Sequence, residues 1–223
     1  MTRIEHLAEG VTLYLGDMRE VLPTLGRFDA CVTDPPYGIA RVWKGGFGHG
    51  WGRSREQADA RNAWDEEAPS KETLDGLRAL STHQIIWGGN HFELPISRGW
   101  LVWNKPERGF SLAEAELAWT NVDTVIRVCD APRSDVGRQH PTQKPLAVML
   151  WSIDRVPKAQ TIFDPFMGSG TTGVAAVKRG KAFVGVEREP AYFDLARRRI
   201  ADALARPDLF VERPARMTQG ALL

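Results

Sequence analysis

At 223 residues with a formal net charge of +1, the chain is long enough for one generous domain with a full core. Its charge balance excludes a global electrostatic pull on nucleic acid, so any such binding rests on local patches. A composition of 43% hydrophobic and 26% charged residues is that of an ordinary folded domain, and two cysteines, Cys31 and Cys129, exclude a disulfide framework. There is no signal peptide, lipidation motif or run long enough to span a membrane, which makes a soluble cytoplasmic protein the expectation.

In chain order, Val11 to Leu15 reads as a short strand ending at Gly16-Asp17, and Met18 to Leu25 as a short helix. Ala30 to Thr33 is an apolar strand that runs into Asp34-Pro35-Pro36-Tyr37. Residues 38–69 carry almost no periodicity and are rich in Gly, Arg and Trp. A loop of that length inside a compact domain points to function. Ser70 to Leu80 has a helical stripe in Leu74, Leu77 and Leu80. Gln84 to Trp87 and Trp100 to Trp103 are short strands, and Glu116 to Trp119 with Thr124 to Val128 is read as an antiparallel pair. After a polar loop at 130–141, Pro145 suits the first turn of a helix striped by Leu146, Met149, Leu150 and Ile153. Thr161 to Phe163, Ser169 to Arg179, Ala182 to Val186 and Pro190 to Ala205 then alternate strand and helix, the last with Tyr192, Leu195, Ala196 and Ile200 inward. This alternation predicts an α/β fold, a Rossmann-like and mostly parallel sheet with helices on both faces. No domain boundary is visible: residues 1–205 read as one domain and 206–223 as a tail.

Two stretches carry chemistry. Asp34-Pro35-Pro36-Tyr37 lies at the C-terminal end of a buried strand, the edge where ligands sit in open α/β sheets. Its two prolines stiffen the backbone and remove two N–H donors, so the turn presents a carboxylate, a carbonyl and a ring. The second stretch, Asp164-Pro165-Phe166-Met167-Gly168-Ser169-Gly170-Thr171-Thr172-Gly173, is a strand end, a glycine-rich turn and a helix start. Glu187 follows about 20 residues on, a distance that suits an acid for ribose hydroxyls. No Lys follows the glycines and the spacing is not G-x-G-x-x-G, so neither a triphosphate loop nor a dinucleotide turn fits. A βα turn that merely needs glycines is the alternative.

Together these stretches resemble the S-adenosylmethionine-dependent amino-methyltransferases of DNA, the N6-adenine and N4-cytosine family of DPPY type. With the catalytic motif first and the cofactor motif later, the chain is similar to the β class, a permuted class I methyltransferase fold. His140-Pro141-Thr142-Gln143-Lys144-Pro145, Gly16-Asp17, Trp87-Gly88-Gly89-Asn90, Trp103-Asn104-Lys105 and Ala115-Glu116-Leu117-Ala118-Trp119 extend the likeness over nearly the whole chain to residue 205. The resemblance implies S-adenosylmethionine as cofactor, Asp34, Pro35, Pro36 and Tyr37 as the catalytic residues, and Asp164, Phe166, Gly168, Ser169, Gly170 and Thr171 as the cofactor turn. It also implies that Asp17 meets the cofactor adenine, Glu187 the ribose, and Lys144 with Thr142 the methionine carboxylate. Each has a plainer alternative: a helix-cap aspartate for Asp17 and an exposed helix-start lysine for Lys144. No metal is implied. Relatives of the β class are often dimers, so a homodimer is expected besides DNA.

An adenine amino group is a poor nucleophile because its lone pair is delocalised into the ring. Asp34 and the Pro35 carbonyl can each accept one of its hydrogens, which returns electron density to nitrogen, while Tyr37 stacks on a base flipped from the duplex. Asp, rather than Ser, at the first motif position leans toward N6 of adenine over N4 of cytosine. Methylation of cytosine carbon 5 needs a nucleophilic cysteine in the site, and neither Cys31 nor Cys129 has that context. Arg41, Lys44, Arg53 and Arg55, interleaved with aromatics in the 38–69 loop, are the expected DNA contacts. Arg197-Arg198-Arg199 reads as a solvated helix face. The interval where relatives carry a target-recognition region, within 121–141, is short here. Methylation of RNA or of a protein amide, and a non-catalytic nucleic-acid-binding protein with the same fold, are the competing functions.

Overall fold

The computed structural model describes residues 3–39, 67–108, 113–133 and 144–206. Arg41, Lys44, Arg53, Arg55 and Thr142, most of the 38–69 loop and the tail from 207 onward lie outside the described residues.

The described strands form one nine-stranded sheet in the order β1-β2-β9-β8-β3-β4-β6-β5-β7. They are β1 (Arg3–Ala8), β2 (Val11–Leu15), β3 (Phe28–Thr33), β4 (Ser81–Trp87), β5 (Trp100–Asn104), β6 (Ala115–Thr120), β7 (Arg127–Asp130), β8 (Thr161–Asp164) and β9 (Ala182–Glu187). The helices are α1 (Met18–Val21), α2 (Lys71–Ala79), α3 (Leu146–Ile153), α4 (Thr171–Lys178) and α5 (Pro190–Ala205). From β2 to β4 every neighbouring pair is parallel; β1, and β6 on both its sides, are antiparallel. The Rossmann-like, mostly parallel class expected from the alternation is therefore the one observed.

The central strands are apolar throughout because both sheet faces are covered. Ala30 and Val32 of β3, Ile162 of β8 and Phe183 of β9 face the larger core, filled by Val148, Met149 and Ile153 of α3, Val174 and Ala175 of α4, and Phe193, Ala196 and Ile200 of α5. Cys31, Phe163 and Val186, from the same three strands, face the smaller core with Met18, Val21, Leu74 and Leu77. Cys31 is fully buried and its thiol is pushed well up by burial, so it is a packing residue.

Four expectations change. β1 was not anticipated: its alternating exposure at the sheet edge leaves no apolar run to see. Pro23 ends α1 early and the chain continues as a short 3₁₀ turn, Leu22–Thr24. The expected antiparallel partner of β6 is elsewhere: β6 is already flanked by β4 and β5, so β7 takes the free edge of β5 and runs parallel to it, Leu101 facing Arg127 and Asn104 facing Asp130. On α5 the buried stripe is Phe193, Ala196 and Ile200, which turns Tyr192 toward the ligand side of the sheet.

β3 and β8 pair directly, Ala30 beside Ile162 and Cys31 beside Phe163. From β8 the chain passes through α4 to β9 on one side; from β3 it passes through α2 to β4 on the other. Connections that leave in opposite directions open a crevice at the C-terminal ends of these two strands. Gly170, which caps α4 with φ +80°, lies under α5: a Cβ there would sit 2.8 Å from Ala196 Cβ. Gly170→Ala therefore carries both a strained backbone and an overlap, and is expected to cost about 2 kcal/mol in urea-unfolding stability. An unchanged midpoint would contradict this packing.

Candidate active site

Asp34 follows the last residue of β3, so the sheet delivers its carboxylate to the crevice. The carboxylate is 26% exposed. Oδ1 accepts from the Tyr37 hydroxyl at 2.6 Å and from Lys144 Nζ at 2.8 Å, while Oδ2 has no partner among the described residues. No described group donates to the Pro35 carbonyl, and Pro35 and Pro36 both line the crevice. Gly88, at φ +71° just after β4, makes room for the Tyr37 ring, since a Cβ there would fall 2.1 Å from Tyr37 Cε1. His91 lies stacked on Tyr37 with centroids 4.9 Å apart, and Phe92 meets it edge-on.

Lys144 sits just before α3 and is 5% exposed. Its ammonium bonds Asp34 Oδ1, the Tyr37 oxygen at 3.0 Å and Glu116 Oε2 at 2.7 Å, and Glu116 in turn pairs with Lys105. The three N–H directions of the ammonium are thus met by protein oxygens of the Asp34-Pro35-Pro36-Tyr37 turn and of Glu116. Burial pushes the Asp34 carboxyl up and the Lys144 charge partly offsets this. Burial also opposes the Glu116 charge, yet its two lysines outweigh that and hold it down at about 2.

The glycine-rich turn leaves β8 beside this cluster. Asp164 is 2% exposed and accepts from the Thr33 hydroxyl at 2.7 Å and from Phe166 N at 3.1 Å. Both bonds go to Oδ1, which therefore ties the two motifs together. Gly168, at φ +51°, faces open space: a Cβ there would have nothing within 4 Å. Its N–H donates to Glu187 Oε2 at 2.9 Å, and Glu189 N donates to Oε1 at 2.8 Å. Each carboxylate oxygen keeps further lone-pair capacity for a hydroxyl. Asp17 caps α1 through Arg19 N at 2.8 Å and pairs with the Arg19 side chain, which lowers its pKa. The cap alternative thus describes its contacts, and it still lines the crevice.

The crevice is a single cavity of about 850 Å³. Asp17, Asp34, Pro35, Pro36, Tyr37, Lys144, Asp164, Phe166, Gly168, Ser169, Thr171 and Glu187 all line it; Gly170 lies behind the turn against α5. Among the described residues no group of His, Cys, Asp and Glu is arranged to hold a metal ion. Sequence reasoning missed Arg199: rather than lying on a solvated face, its guanidinium grips the Ser169 carbonyl, the Ser169 hydroxyl at 2.9 Å and the Thr171 hydroxyl at 3.2 Å. It also gave Lys105 and Glu116 no role, although a Lys and a Glu in or beside buried strands were a signal that they are paired.

Residues 97–198 match the family described as DNA methylase. The chain is 44% identical over 142 residues to the Type II methyltransferase M2.MboI of Moraxella bovis, covering 61% of this chain and 47% of that protein. It is 43% identical over 67 residues to the Type II methyltransferase M2.DpnII of Streptococcus pneumoniae, covering 28% of this chain and 24% of that protein. The chain thus spans less than half the length of these curated relatives. Among solved structures, the M1.HpyAVI–SAM complex has a TM-score of 0.54 at 22% identity, covering 84% of this chain and 98% of that one. The PvuII DNA methyltransferase, described as cytosine-N4-specific, has a TM-score of 0.52 at 12% identity, covering 87% and 91%. At these identities the structures share the fold.

Burial raises Asp164 from 3.8 to about 6, only partly offset by Thr172, Thr33 and Phe166 N. A raised carboxyl favours the protonated form in the folded state, so its contribution is full below pH 4 and is lost as pH rises through 6. The unfolding free energy of wild type minus that of Asp164→Asn is therefore expected to fall between pH 4 and 6, by up to about 3 kcal/mol at ~1.4 kcal/mol per unit. A flat difference in urea titrations across that range would contradict the burial of this carboxylate.

Proposed function

We propose that this chain, a relative of the DNA methylases, transfers a methyl group from S-adenosylmethionine to the exocyclic N6 of adenine in DNA. The observation that carries the reading is the meeting, in one cavity, of the Asp34-Pro35-Pro36-Tyr37 turn and the glycine-rich turn. When bound, S-adenosylmethionine supplies a methyl group already activated on a sulfonium, so no covalent enzyme intermediate is needed. The cavity fits it: Gly168 leaves space where a side chain would intrude, Glu187 offers carboxylate oxygens for ribose hydroxyls, and Arg199 holds Ser169 and Thr171 in place.

In this reading Asp34 Oδ2 and the Pro35 carbonyl accept the two hydrogens of the target amino group. This localises the nitrogen lone pair toward the methyl donor. Tyr37 offers its ring to the flipped base, and His91, now stacked on that ring, moves aside or joins the stack. Partial burial raises the Asp34 carboxyl and makes its carboxylate a stronger acceptor.

DNA is the macromolecular substrate in this proposal, with the 38–69 loop, including Arg41, Lys44, Arg53 and Arg55, as its grip. Because the interval between β6 and Lys144, residues 121–143, is short, the proposal takes a homodimer as the source of further DNA contact; sedimentation as a monomer at working concentration would remove that part. No described helix is long and apolar enough to cross a membrane, and the cytoplasm is the proposed place of action.

The test is transfer of labelled methyl groups to DNA followed by digestion to nucleosides. N6-methyladenine is expected as product, with Asp34→Ala slower by about 100-fold or more. Label found only in 4-methylcytosine would replace the adenine assignment, and equal activity in Asp34→Ala would end the mechanism.

A further inference from the structure

Lys105, Glu116, Lys144 and Asp34 form a line of alternating charge that runs from the end of β5, through β6 and the start of α3, to the catalytic turn. Lys105 and Lys144 are 6% and 5% exposed, and Glu116 is 24% exposed. Two cations and two anions balance, which is what allows four charges to stay in a largely buried place. A simple ion pair would do this with two residues, so the added pair calls for an account.

We infer that Lys105 and Glu116 are positioning residues that act through Lys144 on Asp34: they anchor one carboxylate oxygen and set how strongly the other accepts a proton. The inference rests on the methyltransferase reading for its purpose, but not for its measurement. As the new N–C bond forms and the C–S bond breaks with its electron pair left on sulfur, the amino nitrogen becomes cationic and must lose a proton. Asp34 lines the cavity, and its Oδ2, which has no partner among the described residues, is the acceptor in place. An ammonium bonded to Asp34 alone would stabilise the carboxylate and make it a weak base. Glu116 draws on the same ammonium, so Asp34 keeps its basicity; Lys105 holds Glu116 ionised while it does so. Among the described residues, the charged or titratable groups that act on Asp34 are Lys144 before α3, Glu116 on β6 with Lys105 behind it, Tyr37 on the same turn, and Asp164 at the end of β8.

The account predicts opposite shifts from two substitutions. Glu116→Gln keeps one acceptor oxygen, turns the other into an N–H donor and removes the charge that competes for Lys144, so the Asp34 titration midpoint falls. Lys144→Met removes the cation bonded to Asp34, so the midpoint rises. Each shift is expected to be about one pH unit. The midpoint is read from the Asp34 carboxyl ¹³C resonance, assigned by its loss in Asp34→Asn, which needs no activity. In methyl-transfer assays the acid limb of kcat is expected to move the same way, and the Glu116→Gln plateau to fall about tenfold as the base weakens. Glu116 lines the same cavity, so S-adenosylmethionine affinity is read alongside by calorimetry, and it is expected to stay within about twofold in Glu116→Gln.

Midpoints that do not move, or that move together, would overturn the inference. So would loss of S-adenosylmethionine affinity in Lys144→Met with the Asp34 midpoint unmoved, which would return Lys144 to the cofactor. If Lys144→Met fails to fold, Glu116→Gln alone decides, and a midpoint that stays or rises overturns the inference. Opposite midpoint shifts in the two variants, with a wild type that methylates no DNA, would sustain the charge array and reject the methyltransferase reading.

Discussion

A hydrogen bond of 2.7 Å from the Thr33 hydroxyl to Asp164 joins the ends of two neighbouring parallel strands, and the site depends on it. Thr33 is the residue before Asp34, and Asp164 is the residue before the glycine-rich turn. Pairing of Cys31 with Phe163 sets the register, and the Thr33–Asp164 bond fixes the two turns that leave it. The requirements of the proposed methyl transfer, a proton acceptor on one side and a donor cradle on the other, thus reduce to adjacency in a sheet. The arrangement has a cost, because Asp164 is a buried carboxylate whose charge is disfavoured, and Thr33, Thr172 and Phe166 N only partly offset this.

The same logic of fixing turns from behind recurs around the cavity. Arg199, one helix away, holds Ser169 and Thr171; Glu187 binds the backbone of Gly168; Gly88 removes a side chain so that the Tyr37 ring can lie against β4. Each is a contact made from outside the reacting centre that limits how the centre can move, which is what preorganisation requires.

Much of this was legible in the sequence where local chemistry speaks for itself. Pro35 and Pro36 forbid regular structure, the glycines mark a turn, and apolar runs such as Ala30 to Thr33 mark strands buried on both faces. What was not legible depended on pairing across distance. Nothing within β6 says that β5 and β4 flank it, so β7 was given the wrong partner. Arg199 looked like its solvated neighbours Arg197 and Arg198 because a helix places adjacent residues about 100° apart, and only the third faces the glycine-rich turn. Lys144 was legible as a cation at a helix start, but its ion pairs are with Asp34 and Glu116, 110 and 28 residues away.

The central claim is that one cavity brings a methyl donor to the free oxygen of Asp34. A crystal structure of the protein with S-adenosylhomocysteine tests it most directly. The account predicts the ribose at Glu187, the chain passing over Gly168, and the sulfur facing the Asp34-Pro35 turn with Lys144 still bonded to Asp34. A ligand bound elsewhere, or one that lies in the cavity with its sulfur turned away from Asp34, would contradict it.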